Sequence, residues 1–403
     1  MNHAVPTQSK LPSSFDSIER SYRRYILPVA LFTIFAMHLV SPSKNSQQTT
    51  FYLTLLLPGL FLFAKYYKDQ PRNKILIPVT LFLIYSAITA FWSDPYTLNG
   101  AWQAAKNSLY VFIFIYCLTF LDHQKQTIPI LKLLILTAAA ASLYSLYDAF
   151  IINGTPFGKR MLGTGNLDHP LRTSTVFGFF AICNCFILMP EKNSHRSIKL
   201  LFSVTLVCLL SGLICGISRT PLAATTVCLL ALCFTSRNKA ALILLVVAVI
   251  ALLVTVIGYP DIISKFTARG MSLRPIIWAD ALEHIKQAPI IGHGIRSEIS
   301  ITGRNIDSAH SRYLSTLYYS GAIGLLLFLS ALVMAFLRNL NKNPDYLNLF
   351  KIMLLYGLMC SVTEGKFLIS RPDMVWLIIW FPLGLVLSEQ LQRQKLPALA
   401  ERM

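Results

Sequence analysis

Ala241-Leu-Ile-Leu-Leu-Val-Val-Ala-Val-Ile-Ala-Leu-Leu-Val-Thr-Val-Ile-Gly258 contains no charged side chain, and the chain then turns mostly polar from Tyr259 to Arg312. A helix rising 1.5 Å per residue needs ~20 apolar residues to cross a hydrocarbon core, and this run supplies them. Strands of a membrane barrel would instead alternate with period two, a pattern the sequence lacks.

Similar runs recur outward in both directions. We read twelve spans, near 25–40, 51–66, 74–91, 106–121, 128–150, 170–189, 198–217, 220–235, 239–258, 313–337, 347–364 and 374–391. Composition agrees, because a chain of 403 residues that is 54% hydrophobic and 13% charged is no ordinary soluble domain with one closed core. The expected fold is all-α: a polytopic integral membrane protein of about 12 transmembrane helices, forming one membrane domain over residues 1–403. The first run follows a polar segment ending at Arg24 and lacks a small-residue cleavage site, so it reads as an uncleaved span.

Basic residues orient the spans. An even number puts both ends on one side, together with Arg20/Arg23/Arg24, Lys65/Lys68/Arg72/Lys74, Lys192/Arg196/Lys199, Arg237/Lys239, Arg338/Lys342 and Arg393/Lys395. The positive-inside rule identifies that side as cytoplasmic. The net charge of +18 is spread between spans, with no single basic domain, which argues against nucleic acid as a partner. All eight cysteines fall in apolar runs without a C-x-x-C pair, and they read as small core hydrophobes.

The segment 259–312 then becomes a large extracytoplasmic loop, yet it holds Lys265, Arg269, Arg274, Lys286, Arg296, Arg304, His310 and Arg312. Basic residues on the outer side call for an anionic ligand at the membrane surface. Within the loop Leu273, Ile277, Ala281 and Ile285 recur at helical spacing, with Pro275 in the first turn and Ala288-Pro289 after the end. This predicts an amphipathic helix lying against the membrane surface.

Four helices are expected to start on the outer side with proline in the first turn and arginine beside it: Pro170/Arg172, Pro221/Arg219, Pro275/Arg274 and Pro372/Arg371. Arginine at a helix N-terminus costs about 0.3–1 kcal/mol through repulsion by the helix dipole. An anion reverses that sign, since free N–H groups and a guanidinium fork both suit phosphate oxygens. Snorkelling to lipid headgroups is the simpler account of Arg172 and Arg371. Arg219 is different, because Ser218-Arg219-Thr220 separates two spans with almost no loop. His310 is a residue of the large loop suited to proton transfer near neutral pH.

Ser218-Arg219-Thr220-Pro221-Leu222-Ala223, then Leu273-Arg274-Pro275 through Trp278, then Pro289-Ile290-Ile291-Gly292-His293-Gly294, then Ala309-His310 with Tyr313-Leu314 and Gly321/Gly324 occur in that order. This series resembles the signature of the O-antigen ligase and polymerase superfamily, over about residues 200 to 340. Arg160 with Gly163, and His169-Pro170, resemble an earlier and weaker feature of it. Ser311 stands where the family usually has Asn after its histidine.

The resemblance implies a bacterial inner-membrane glycosyltransferase that moves glycans from undecaprenyl diphosphate carriers in lipopolysaccharide biosynthesis, with its active site facing the periplasm. His310 then corresponds to the candidate general base, and Arg219 and Arg274 to the essential arginines, with Arg160 as a further diphosphate ligand. The expected partners are an undecaprenyl-diphosphate-linked glycan as donor, lipid A–core as acceptor, and membrane lipids. No cofactor and no metal are expected. Polymerisation of glycan repeats and glycosylation of proteins are the alternative activities, and a transporter or flippase is the non-enzymatic one. A transporter is disfavoured because charged candidates gather at the outer face and not at the midplane.

Overall fold

The computed structural model describes residues 14–41, 43–68, 75–156, 158–189, 195–236, 273–300, 308–337 and 346–400. Among the described residues the regular elements are all helices. They are α1 (Ser17–Val40), α2 (Lys44–Tyr66) and α3 (Leu76–Trp92), α4 (Leu98–Leu118), and α5 (His123–Ile152), α6 (Pro170–Leu188) and α7 (Arg196–Cys215). There follow α8 (Arg219–Ser236), α9 (Arg274–Ile285), α10 (Arg312–Phe336), α11 (Tyr346–Ser361) and α12 (Phe381–Ala400) behind a π-helical turn at Trp376–Trp380.

Six of these helices, α1, α2, α5, α6, α7 and α10, are long and apolar enough to cross a membrane, and three shorter apolar ones add to them. The protein is a multi-pass membrane protein. Eleven of the expected spans coincide with a helix, and the ninth, at 239–258, lies outside the described residues, as do 259–272 and 301–307 of the large loop.

Several helices start earlier than hydropathy suggests, among them α2 and α4. α2 begins at Lys44 because Ser43 caps it, its Oγ accepting from the Ser46 N–H at 3.4 Å. Thr97 caps α4 in the same way, accepting from the Gly100 N–H at 3.0 Å. The first turn of α2 is polar, and Asn99, Gly100, Gln103 and Lys106 break up the apolar signal at the start of α4.

The core is centred on α6, which is buried on nearly every side from Leu171 to Cys185. Small and polar residues hold its neighbours close, as expected between helices that gain little from expelling water. Ser142 of α5 donates to the Cys208 carbonyl of α7 at 2.8 Å. Asn184 of α6 donates to the Phe202 carbonyl of α7 at 3.0 Å, and Tyr356 of α11 donates to the Thr175 carbonyl of α6 at 2.8 Å.

α9 forms where the apolar spacing places it, with Pro275 in its first turn. Of its stripe, Leu273 is exposed while the other three residues face the protein. Ile277, Ala281 and Ile285 are buried in a cluster with Ile299, Ala309, Tyr318 and Tyr319, so the helix is packed against α10. Enough apolar surface is presented by α10 to satisfy that stripe within the protein.

α10 is broken at Gly321, whose φ of 60° departs from the helix on either side. Into the break docks Pro289–Gly294. The N–H groups of His293 and Gly294 donate to the carbonyls of Tyr318 and Tyr319 at 2.8 and 2.9 Å. Those of Ala322 and Ile323 donate back to Pro289 and Ile290 at 2.9 and 3.2 Å. The loop thereby replaces the hydrogen bonds that the break removes from the helix.

Candidate active site

Four helix N-termini open on one cavity of about 630 Å³: those of α6, α8, α9 and α10. Its walls carry Arg160, Asp168, His169 and Arg172 from the first two segments, then Ser218, Arg219 and Thr220, then Arg274, His310 and Glu364. Arg160, Arg219, Arg274 and His310, spread over the sequence, therefore meet in one place.

Arg160 is brought in through the backbone of its neighbour. The Met161 N–H donates to the Cys215 carbonyl at the end of α7, 3.1 Å away, which sets this loop beside the turn leading to Arg219. That turn is tight. Ile217 has φ of 45°, a left-handed conformation that β-branched residues rarely adopt, and the Ser218 hydroxyl donates across it to the Gly216 carbonyl at 3.1 Å. The strain delivers Arg219 and Thr220 to the mouth of α8 without a longer loop.

His310 is the second non-glycine residue with positive φ, at 48°. It is pinned from both sides. Ala309 is buried in the cluster beneath α9, and the buried Arg312 guanidinium donates to the Ser361 hydroxyl and the Glu364 carbonyl at 3.2 and 3.1 Å. Its own side chain remains exposed to the cavity. Strained conformations of this kind persist only where the surroundings over-determine them.

Residues 361–365 close the remaining wall. The Thr363 hydroxyl donates to Thr220 at 2.8 Å, and the Arg312 guanidinium lies over Gly365, where a Cβ would come within 2.7 Å of Nη2. Glu364 carries no sequence motif, and it reaches the cavity only through this packing.

The balance of charge is positive. Four arginines face two carboxylates, and one of those, Asp168, is paired with Arg172 at 3.1 Å. Burial holds the Arg274 guanidinium below its ordinary pKa, against an opposing pull from Glu364, yet it stays protonated. Arg172 thus lines the cavity, paired with Asp168. A helix also starts just after Pro372, at Met374, whose N–H donates to Asp373 Oδ1 at 2.7 Å, but Arg371 departs from the expected set because its side chain donates to Gln48 Oε1 at 3.2 Å beside another cavity.

Helix N–H groups and guanidinium forks stand here beside two exposed histidines, His169 and His310, at the end of a helical membrane bundle, an arrangement suited to an anionic group next to a proton acceptor. Residues 172–329 match the O-antigen ligase family. An O-antigen ligase of Pseudomonas aeruginosa is 31% identical over 396 residues, which cover 93% of this chain and 93% of that protein. The chain belongs to the O-antigen ligase family.

Proposed function

We propose that this protein transfers polysaccharide from undecaprenyl diphosphate to a sugar hydroxyl of lipid A–core, at the periplasmic face of the bacterial inner membrane and with inversion at the anomeric carbon. The observation that carries the reading is the convergence of Arg160, Arg219, Arg274 and His310 on one cavity ringed by helix N-termini.

In this reaction the diphosphate lies against Arg219 and Arg274, with Arg160 at the edge. Guanidinium forks and helix N–H groups take up the charge that grows as the bond from the anomeric carbon to the phosphate oxygen breaks. His310 accepts the proton of the acceptor hydroxyl. The freed oxygen lone pair attacks the anomeric carbon from the face opposite the departing undecaprenyl diphosphate, which leaves with the bonding electrons. The proton remains on His310 until water removes it.

Deleting the protein and separating lipopolysaccharide on a gel tests the proposal. Loss of all polymer on core, with polymer accumulating on the lipid carrier, is the expected result. A core bearing a single repeat would overturn it in favour of polymerisation.

A further inference from the structure

A second cavity of about 430 Å³ lies beside the first and shares none of its lining residues. The same two segments separate them. Asn166 lines the second cavity and Asp168 the first, while Phe367 and Glu364 are divided in the same way. Two residues of chain span at most ~7 Å, so Asn166 and Asp168 bring the two sites close together.

The lining of the second cavity is unusual for its depth. Gln47 and Asn166 are only 2% and 3% exposed, yet Gln47 Oε1 and Asn166 Nδ2 have no hydrogen-bond partner, nor has Asn107 Oδ1. All three residues line the cavity. Buried polar atoms left without partners are costly, and native proteins rarely keep them without a reason. A carboxamide offers both donors and acceptors, which is the pattern that matches the hydroxyls of a sugar ring. Phe367 adds an apolar wall.

Charge narrows the ligand. Lys44, Arg296 and Arg371 line the cavity against a single carboxylate, Asp373. Among the described residues neither Arg296 nor Arg371 has a carboxylate at salt-bridge distance; Arg296 bonds to the Gly100 carbonyl and Gln103 Oε1, at 3.2 and 3.0 Å. Burial, and then the charge of Arg371, hold Arg296 below its ordinary pKa, a repulsion that an anion between them would relieve.

We infer that this second cavity binds an anionic saccharide, a sugar carrying phosphate or carboxylate, and holds it beside the His310 cavity. The inference rests on the proposed transfer reaction, which requires two saccharides to meet. The bound sugar comes from the acceptor or from the donor glycan, and kinetics separates the two.

The test uses the full chain in nanodiscs, comparing wild type with Arg371→Gln, an exposed side chain, and Asn166→Ala. Initial rates are measured with lipid-linked polysaccharide and lipid A–core varied in turn. Each variant should raise one KM about tenfold, with kcat and the other KM within about twofold. A rise in the acceptor KM assigns the cavity to the acceptor, and a rise in the donor KM assigns it to the donor glycan. Unchanged KM values for both would overturn the inference. Should wild type transfer nothing, the proposed reaction has failed, and saturation-transfer NMR with glucose 6-phosphate and glucose then tests the cavity directly. A signal for the phosphorylated sugar that Arg371→Gln weakens, with Arg219→Gln as comparison, sustains the inference; equal signals in wild type and Arg371→Gln overturn it.

Discussion

Gly292 and Gly321 lie face to face, each with positive φ, so that a Cβ on Gly292 would come within 2.5 Å of the Gly321 nitrogen and one on Gly321 within 2.6 Å of the Gly292 nitrogen. Backbone occupies both sides, and neither can give way as a flexible side chain could. Alanine at either position meets this clash and a left-handed φ together, at a cost of about 2 kcal/mol or more. Gly292→Ala and Gly321→Ala should each lower the thermal unfolding midpoint of the detergent-solubilised protein and reduce transfer. Unaltered midpoints would show that the docked loop and the helix break are not mutually dependent.

His310→Ala should abolish transfer while leaving donor binding largely intact, because the side chain is exposed and its proposed work is proton removal. Binding of lipid-linked donor and product formation are measured on the same preparation. Near-normal ligation by the well-expressed variant would sink the assignment.

Arg219→Lys and Arg274→Lys should each lower transfer by at least about a hundredfold, since a point charge cannot reproduce a bidentate fork on a diphosphate. Arg172→Lys keeps a cation opposite Asp168 and should cost less than about tenfold. Initial rates with purified protein decide, and retained activity with lysine at both Arg219 and Arg274 would contradict the diphosphate role.

Transfer should survive EDTA. Hard cations prefer clustered carboxylates, whereas the cavity sets four arginines against Asp168 and Glu364, with Asp168 already paired to Arg172. Activity lost on chelation and restored by magnesium or manganese would assign the electrophilic role to a metal instead.

A cysteine at the exposed Ser300 should react with an impermeant thiol reagent in intact spheroplasts. Labelling only after lysis would reverse the orientation, and with it the periplasmic placement of the site.

Much of this architecture is legible in the sequence because hydrophobic length and helix-start chemistry are local. The apolar runs mark the helices, and Pro170, Arg219 and Pro275 mark three of the N-termini that ring the cavity. The starts of α2 and α4 precede the long apolar runs, although Ser43 and Thr97 are recognisable caps. Glu364 and Asn166 are a different matter. One is brought to its cavity by Arg312 and Thr220, the other lies beneath the end of α1, where its N–H donates to the His38 carbonyl at 3.2 Å. Contacts between residues so far apart leave no periodic trace. The stripe of α9 was readable as apolar, but whether it faces lipid or α10 depends on a surface more than thirty residues away.

The cavity's walls also impose a schedule. Arg160 is synthesised about 200 residues before Glu364. At a synthesis rate of ~5–20 residues per second, the first arginine waits on the order of 10–40 s for the wall that completes its surroundings. A nascent chain still emerging from the ribosome holds the first cations of the cavity but not its last wall, so the chamber is complete only late in synthesis.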